Sequence, residues 1–144
     1  MHYWDASALV PLCVDEGVTT KARNLARSHG IVTWFLSSVE IASAVERRFR
    51  EGALDAKGRA AALATLSDLA ASWVEVTAAA RVRERALRAL ATHPLRAADA
   101  VQLAAALVAA EDRPHGHHFA CGDLRLREAA TREGFTAVEP WAAR

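Results

Sequence analysis

The chain has 144 residues, a hydrophobic fraction of 52% and a formal net charge of +1. This length fits one domain, residues 1–144, which can bury roughly 68–70% of the surface of its unfolded chain, and the hydrophobic fraction excludes intrinsic disorder. The near-neutral charge excludes a protein that binds nucleic acid by charge alone, so any such contact must come from local basic patches or a bound metal ion.

Strand and helix signals alternate along the chain. β-Branched and aromatic runs predict five short strands, and the helices between them end at glycines such as Gly30, Gly52 and Gly134. The predicted elements are, in chain order, a strand at 2–4, helices at 7–14 and 19–28, a strand at 31–35, helices at 37–50 and 55–72, a strand at 73–76, helices at 78–91 and 97–111, a strand at 118–121, a helix at 124–133 and a strand at 136–139. This order predicts an α/β fold with a parallel sheet covered on both faces, and the consecutive helices before the third strand predict a helical lobe beside the sheet.

The cysteines and the apolar runs indicate in which cellular compartment the protein is expected. Cys13 and Cys121 are far apart in the sequence, a spacing that fits neither a disulfide framework nor a zinc site. No apolar run approaches the roughly 20 residues that a membrane helix needs, and the N-terminal residues do not resemble a secretory signal. We therefore expect a cytoplasmic protein without membrane association.

Four acidic residues come at the ends of predicted elements. Asp5 follows the first strand, Asp123 follows the fourth, and Glu40 lies in the first turn of the helix after the second strand. The carboxyl ends of parallel strands meet at one edge of the sheet, where ligands bind, so these three acids are placed on that edge. Asp99 joins them if the helix at 97–111 begins near the same edge.

Each acid also has a structural interpretation. An acid near a helix N-terminus stabilises the helix dipole by about 0.3–1 kcal/mol. The Ser-Ser-Val-Glu segment that begins at Ser37 matches a capping box, in which Glu40 reaches back to the Ser37 amide. Asp5 is harder to explain in this way, because Ser7 could cap the next helix by itself. Asp99 lies in a mostly apolar stretch, where a buried carboxylate needs a partner.

A hard divalent cation explains several acids at one edge. Carboxylates that share a cleft repel each other, and the repulsion raises some of their pKa values. Mg²⁺ prefers oxygen ligands, keeps several waters, and is usually bound by one or two carboxylates plus substrate phosphates. A bound ion can polarise a phosphoryl oxygen and lower the pKa of a water, so this edge predicts Mg²⁺- or Mn²⁺-dependent phosphate chemistry.

Two other groups of residues are weaker candidates. A polar turn before the fourth strand holds three histidines, for which a metal site and a solvated loop are both open: His115, His117 and His118. Arginines follow Glu40 and Asp123 on their helices, and they either reach phosphates that flank the acids or form a solvated face: Arg47, Arg48, Arg50, Arg125 and Arg127.

The whole chain resembles the PIN-domain ribonucleases and, within them, the VapC-like toxins of bacterial toxin–antitoxin pairs. Four segments carry the resemblance: Asp-Ala-Ser-Ala-Leu-Val at 5–10, Ser-Ser-Val-Glu at 37–40, Leu-Arg-Ala-Ala-Asp-Ala-Val-Gln-Leu-Ala at 95–104, and Phe-Ala-Cys-Gly-Asp-Leu-Arg-Leu at 119–126. The third segment is the most specific of the four.

The resemblance implies a fold, a reaction and partners. The fold is a five-stranded parallel sheet of order 3-2-1-4-5 with a helical clip, in a homodimer. The reaction is hydrolysis of RNA phosphodiester bonds by metal-activated water. The implied ligands of Mg²⁺ or Mn²⁺ are Asp5, Glu40, Asp99 and Asp123, with Ser7 in support. A cognate antitoxin is expected to insert a segment near the active site. Cys121 departs from the family, which often has Thr or Ser at this position. A thiol is a poor ligand for a hard cation, so Cys121 is not expected to replace the hydroxyl there.

Other readings of the sequence differ in their chemistry. A phosphorelay receiver domain also has an acidic, magnesium-binding edge, but it needs an Asp after the third strand and a Lys after the fifth. Thr77 and Pro140 follow those strands here, which argues against a receiver. Two readings stay open: a PIN-like module that binds RNA or protein without cleaving it, and a PIN-domain nuclease that processes RNA outside a toxin pair.

Overall fold

A computed structural model describes residues 1–14 and 19–142. Its elements are, in chain order, β1 (His2–Trp4), α1 (Ala6–Cys13), α2 (Thr19–His29), β2 (Val32–Trp34), α3 (Ser37–Arg50), α4 (Ala56–Ala70), β3 (Val74–Val76), α5 (Ala79–Thr92), α6 (Ala97–Ala109), β4 (His118–Ala120), α7 (Leu124–Glu133) and β5 (Thr136–Val138). Every predicted element is present, and its bounds differ from the predicted ones by at most two residues.

The five strands form one parallel sheet in the order β3-β2-β1-β4-β5. Tyr3 pairs with Val32 on one side and with Phe119 on the other, which places β1 at the centre. The predicted order 3-2-1-4-5 is confirmed. The chain builds outward from β1 to β3 and then crosses back to β4, so the direction of winding reverses between β1 and β4. Ligands bind in such sheets at this reversal, beyond the carboxyl ends of the strands.

Helices cover both faces of the sheet, and neighbouring strand residues supply the two cores. Tyr3 is buried against α5, α6 and α7, while Trp4 is buried on the other face, among α1 to α4. This division follows from the two-residue period of a strand, which turns successive side chains to opposite faces. Helix α4 packs mainly on α1 and α3, so the predicted helical lobe beside the sheet is confirmed.

The helices of the described residues are all too short or too polar to cross a bilayer. The most apolar of the longer ones is α6, which buries eight of its thirteen residues within the protein. Its apolar surface is therefore used in the core, with Asp99 in its first turn.

Candidate active site

Asp5 marks the carboxyl end of the central strand. Its amide donates to the Ala120 carbonyl at 3.0 Å, so β1 and β4 stay paired up to this residue. Its side chain is the N-cap of α1, and Oδ2 accepts the Ser7 amide at 3.0 Å as well as the Ser7 hydroxyl. The expectation that Ser7 caps α1 by itself is wrong. Ser7 instead holds the Asp5 carboxylate in place, and that residue is only 4% exposed.

The turn after β4 is tied to the same carboxylate. The Gly122 amide donates to Ser7 Oγ at 2.9 Å, and the Cys121 thiol lies 3.6 Å from Asp5 Oδ2. Burial, followed by the negative charge of Asp5, raises the pKa of the Cys121 thiol above its usual range. Cys121 therefore stays protonated and acts as a weak donor toward Asp5.

Glu40 is held by a buried hydrogen-bond network and does not close a capping box. Helix α3 begins after Leu36, which makes no side-chain cap. The Ser37 hydroxyl instead bonds with Thr33 Oγ1 at 2.8 Å and Gln102 Nε2 at 3.0 Å. Gln102 Nε2 also donates to Glu40 Oε1 at 2.8 Å. The capping-box interpretation of this segment is therefore wrong, and the Glu40 carboxylate is positioned by another helix.

Gln102 is the residue that sequence reasoning missed. Its side chain is fully buried, and Oε1 accepts the Tyr3 hydroxyl at 2.6 Å. A buried amide needs such partners. The signal was present in the sequence, because Gln102 is a polar residue in an apolar run, three positions after Asp99 and thus on the same side of the helix. Gln102 therefore links α6, β1 and α3 beneath the acids.

Asp99 and Asp123 line one cavity of about 420 Å³, together with Arg96 and Arg125. Asp99 lies in the first turn of α6 and shares this cavity with Asp123. Helix α6 therefore begins at the functional edge, which is the condition under which Asp99 was expected to join the other acids. Asp123 is the N-cap of α7, where its Oδ1 accepts the Leu126 amide at 2.9 Å. Asp123 therefore has the structural role expected of an acid at a helix start and also borders the cavity.

The acids change one another's pKa. Burial raises the pKa of Asp5 against the Ser7 hydrogen bonds, and the charge of Asp99 raises it further. Burial raises the pKa of Glu40 to about 7, against its bond to Gln102 and with the help of Asp5 and Asp99. Burial and the charge of Asp123 raise the pKa of Asp99, against Arg96. The structure thus brings Asp5, Glu40 and Asp99 within electrostatic reach of one another, and Asp123 within reach of Asp99.

The acids do not share one cavity: Glu40 lines one, Asp99 and Asp123 line another, and the buried Asp5 lines neither. In the described parts of the chain, no three His, Cys, Asp or Glu side chains stand close enough together to hold a metal ion. Glu40 and Ser7 line a second cavity, also of about 420 Å³, whose lining includes Gly122, the residue before Asp123. The carboxylate oxygens at this edge fit a hard cation, whereas the protonated Cys121 thiol is not a ligand for one. Mg²⁺ needs only one or two carboxylates when water and substrate phosphate complete its shell.

Four arginines border these cavities. Arg47 and Arg48 line the one with Glu40, and Arg96 and Arg125 line the one with Asp99. Arginine suits phosphate because its fork of donors matches two phosphate oxygens. Arg47, Arg48 and Arg125 therefore lie beside the acids as predicted, Arg96 was not among the predicted arginines, and Arg127 instead donates to the Cys121 carbonyl at 3.3 Å. Arg50 lines neither of the two cavities.

The predicted histidine cluster lies at the opposite edge of the sheet. His118 begins β4 and stacks on the ring of His2 at 4.3 Å, and His2 stacks on His29 at 4.1 Å. His117 Nδ1 lies 3.1 Å from the amino nitrogen of Met1. Part of this turn is thus packed against β1 rather than fully solvated, and it is remote from the acids.

Comparison of the chain with models of protein families and with curated proteins found no match. Function is therefore inferred from the chemistry of the two cavities and from the four sequence segments. Both point to the same residues, because the acids of those segments are the acids that the fold gathers at the reversal between β1 and β4.

Proposed function

We propose that this protein is a Mg²⁺- or Mn²⁺-dependent endoribonuclease of the PIN-domain type that hydrolyses RNA phosphodiester bonds. One observation carries the proposal: the fold gathers Asp5, Glu40 and Asp99 at the reversal of the sheet, where burial and neighbouring charge raise their pKa values. Such acids oppose folding when they are ionised. Strongly shifted acids in a cleft are typical of functional sites, and a cation relieves their repulsion.

The ion would be held by carboxylates from Asp5, Glu40, Asp99 and Asp123. When bound, it supplies positive charge for a phosphoryl oxygen and lowers the pKa of a water. Asp5 is the central member of this set, since it is the most buried of the four and has its Oδ2 fixed by Ser7. Asp123 Oδ1 accepts the Leu126 amide, which leaves Oδ2 as the less engaged oxygen for other contacts.

The chain's own side chains orient these groups and the substrate. Gln102 donates to Glu40 Oε1, which fixes the carboxylate and leaves Oε2 for a second contact. Arg96 and Arg125 border the cavity of Asp99, where they can bind phosphate oxygens bidentately. In a protein with a net charge of +1, these arginines and the bound ion would supply the positive charge that faces the RNA.

The proposal includes a biological setting, the toxin of a toxin–antitoxin pair that acts as a homodimer in the cytoplasm. The four family-like segments support it. A neighbouring reading frame that encodes a small DNA-binding antitoxin tests the pairing. A second test is growth of cells that express the wild-type protein, compared with cells that express the Asp5→Asn variant. Equal growth at equal expression contradicts the toxin setting and leaves the nuclease chemistry standing.

The sequence leaves a second function open, that of a PIN-like module that binds RNA or protein without cleaving it. The two functions differ in the fate of the RNA. A non-catalytic module binds RNA equally well with and without Mn²⁺ and leaves it intact, whereas the nuclease cleaves it only with the ion.

The test is cleavage of a structured RNA by the purified chain across a Mg²⁺ and Mn²⁺ series. Asp5→Asn should abolish cleavage, because Asn is a weaker ligand for a hard cation than a carboxylate. The matched control is Asp68→Asn, the same change at an exposed acid of α4 outside both cavities. Intact RNA with wild-type protein in every metal overturns the nuclease proposal. Equal cleavage by wild type and Asp5→Asn overturns the site.

A further inference from the structure

Trp141 differs from the other tryptophans of this chain. Trp4, Trp34 and Trp73 are buried in the core, with exposures of 0%, 5% and 8%. Trp141 is half-buried and lines the same cavity as Ser7 and Glu40. Trp141 belongs to neither core cluster, so part of its indole is available to a ligand in this cavity.

The fold holds the indole firmly in this position. Trp141 Nε1 donates to Glu139 Oε1 at 3.1 Å, and the Arg127 guanidinium lies 3.5 Å from the same oxygen. A Cβ atom added to Gly122 would lie only 2.9 Å from Cη2 of Trp141, so the ring edge rests directly on this glycine. The single N–H of the indole is therefore occupied by its hydrogen bond to Glu139. A ligand in the cavity can contact the ring by stacking on its face.

Arg47 places a positive charge in the same cavity. Glu40, Ser43, Ala44 and Arg47 all line it, at the three- and four-residue spacing that puts side chains on one face of α3. Seven residues of helix separate Glu40 from Arg47, a distance of roughly 10 Å along the axis. Between them stand the small side chains of Ser43 and Ala44, which leave room. Arg47 is exposed, and within the described residues it has no carboxylate partner.

We propose that Trp141 and Arg47 form a subsite for one unpaired nucleotide of the RNA, in which the indole stacks on the base and the guanidinium binds the adjoining phosphate. The inference rests on the proposed function, because it extends the substrate from the acidic edge into this cavity. A cavity of about 420 Å³ lies within the range of roughly 300–1,000 Å³ that is typical of small-ligand sites. Stacking tolerates every base, so the subsite selects for single strands rather than for sequence.

The first experiment measures binding to the full chain with Asp5→Asn, in Mg²⁺, so that RNA is not consumed. The probe is a short unstructured oligoribonucleotide of mixed sequence, alone or annealed to its complement. We expect the single strand to quench tryptophan fluorescence and the duplex to have little effect. The quench should disappear in Trp141→Phe, because the remaining tryptophans are buried. A quench that persists in Trp141→Phe overturns the assignment, and so does a duplex that binds as tightly as the single strand.

The second experiment follows the anisotropy of the labelled oligoribonucleotide with substituted proteins. Trp141→Leu keeps apolar volume but loses the ring, and we expect Kd to rise about 5- to 150-fold, the range for loss of one stacked base. Trp141→Phe keeps a ring and should retain most of the affinity. Arg47→Gln should reduce the salt dependence of log K by about 0.7, the value for one phosphate of a single strand. Arg50→Gln, on the same helix but outside the cavity, is the matched control.

The outcomes separate this inference from the proposed function. If wild type cleaves RNA and the Trp141 and Arg47 variants match it in KM and in Kd, the subsite is refuted and the nuclease stands. If Trp141 and Arg47 control binding but no metal supports cleavage, the nuclease is refuted and the subsite stands. If Trp141→Leu does not fold, as judged by melting, then Trp141→Phe, Arg47→Gln and the fluorescence quench decide the question.

Discussion

Replacement of Glu40 by Gln removes one charge from the acidic edge with little change of shape. The Glu40 carboxyl is half-buried and has its pKa raised to about 7, first by burial and then by the charges of Asp5 and Asp99. Glu40→Gln cannot ionise, and its amide oxygen can still accept from Gln102 Nε2. We therefore expect this variant to be more stable than the wild type at alkaline pH and without metal.

The size and sign of this effect follow from the two pKa values of Glu40. The folded value of about 7 exceeds the ordinary value of 4.5, so between these pH values the folded protein keeps a proton that the unfolded chain releases. The free energy of unfolding therefore falls as pH rises from 4.5 to 7, and the loss is complete above pH 7. A fully enclosed group would contribute about 3 kcal/mol. Solvent near half-buried Glu40 reduces this to about 1–2 kcal/mol.

The assay is thermal melting of wild type and Glu40→Gln from pH 4.5 to 8.5 in buffer with a chelator. At a few degrees per kcal/mol, Glu40→Gln should melt about 2–6 °C above the wild type at pH 8 and no higher than it at pH 4.5. The control is Glu46→Gln, the same change on the same helix. Glu46 bonds to Arg59 at 2.6 Å, which lowers its pKa, so its charge adds stability above pH 4.5. Glu46→Gln should therefore lose stability at pH 8.

Opposite signs for the two variants at pH 8 support the account of the site. The reasoning is refuted if Glu40→Gln loses stability at pH 8 as Glu46→Gln does. It is also refuted if the difference between Glu40→Gln and the wild type does not change between pH 4.5 and 8. Either result means that the Glu40 carboxylate is solvated or paired, and that the acids at this edge do not repel one another.

Three further changes test the surroundings of the site. Saturating Mn²⁺, at about 100 times its Kd, should add roughly 2.7 kcal/mol to wild-type stability, and identical melting at every concentration contradicts the cation site. Gln102→Leu leaves the buried Tyr3 hydroxyl without its acceptor, which costs about 1–3 kcal/mol for each unsatisfied group. The variant should therefore melt several degrees below the wild type, and unchanged melting contradicts the hydrogen-bond network. Leu87 is 64% exposed on α5, beside an apolar groove, so Leu87→Glu should shift the expected homodimer toward monomer in light scattering, and a wild-type monomer at high concentration refutes the dimer.

The fold was predictable because its signals are local. Five β-branched or aromatic runs and the glycines after the helices predict alternating strands and helices, and parallel topology then places Asp5 and Asp123 at one edge. The same topology explains why Glu40 lies there, since α3 starts at the carboxyl end of β2. Asp5, Glu40 and Asp123 were therefore predictable at this edge from element order alone, whereas Asp99 could be placed there only once α6 was seen to begin near the same edge.

The partners of the acids were not predictable, because they depend on contacts between distant segments. Gln102 and Glu40 are 62 positions apart, and they come within 2.8 Å only because the N-terminal turns of α3 and α6, from opposite faces of the sheet, meet at its carboxyl edge. Glu40 bonds to Gln102 instead of closing the local capping box. The Ser-Ser-Val-Glu pattern at Ser37 therefore predicted the wrong partner for Glu40. Trp141 follows the last strand and reaches Gly122 only because β5 pairs with β4. No local spacing indicates either contact.

The central claim is that the acids at this edge bind a cation for RNA cleavage, and Asp99→Asn tests it most directly. Melting with and without Mn²⁺ is measured on the same samples as cleavage of a structured RNA, with Asp68→Asn as the control. Asp99→Asn should fold at least as well as the wild type without metal, because a repelling charge is removed. It should lose most of the Mn²⁺-induced stabilisation and most of the cleavage, while Asp68→Asn keeps both. An Asp99→Asn protein that melts early yet cleaves RNA at the wild-type rate contradicts the claim.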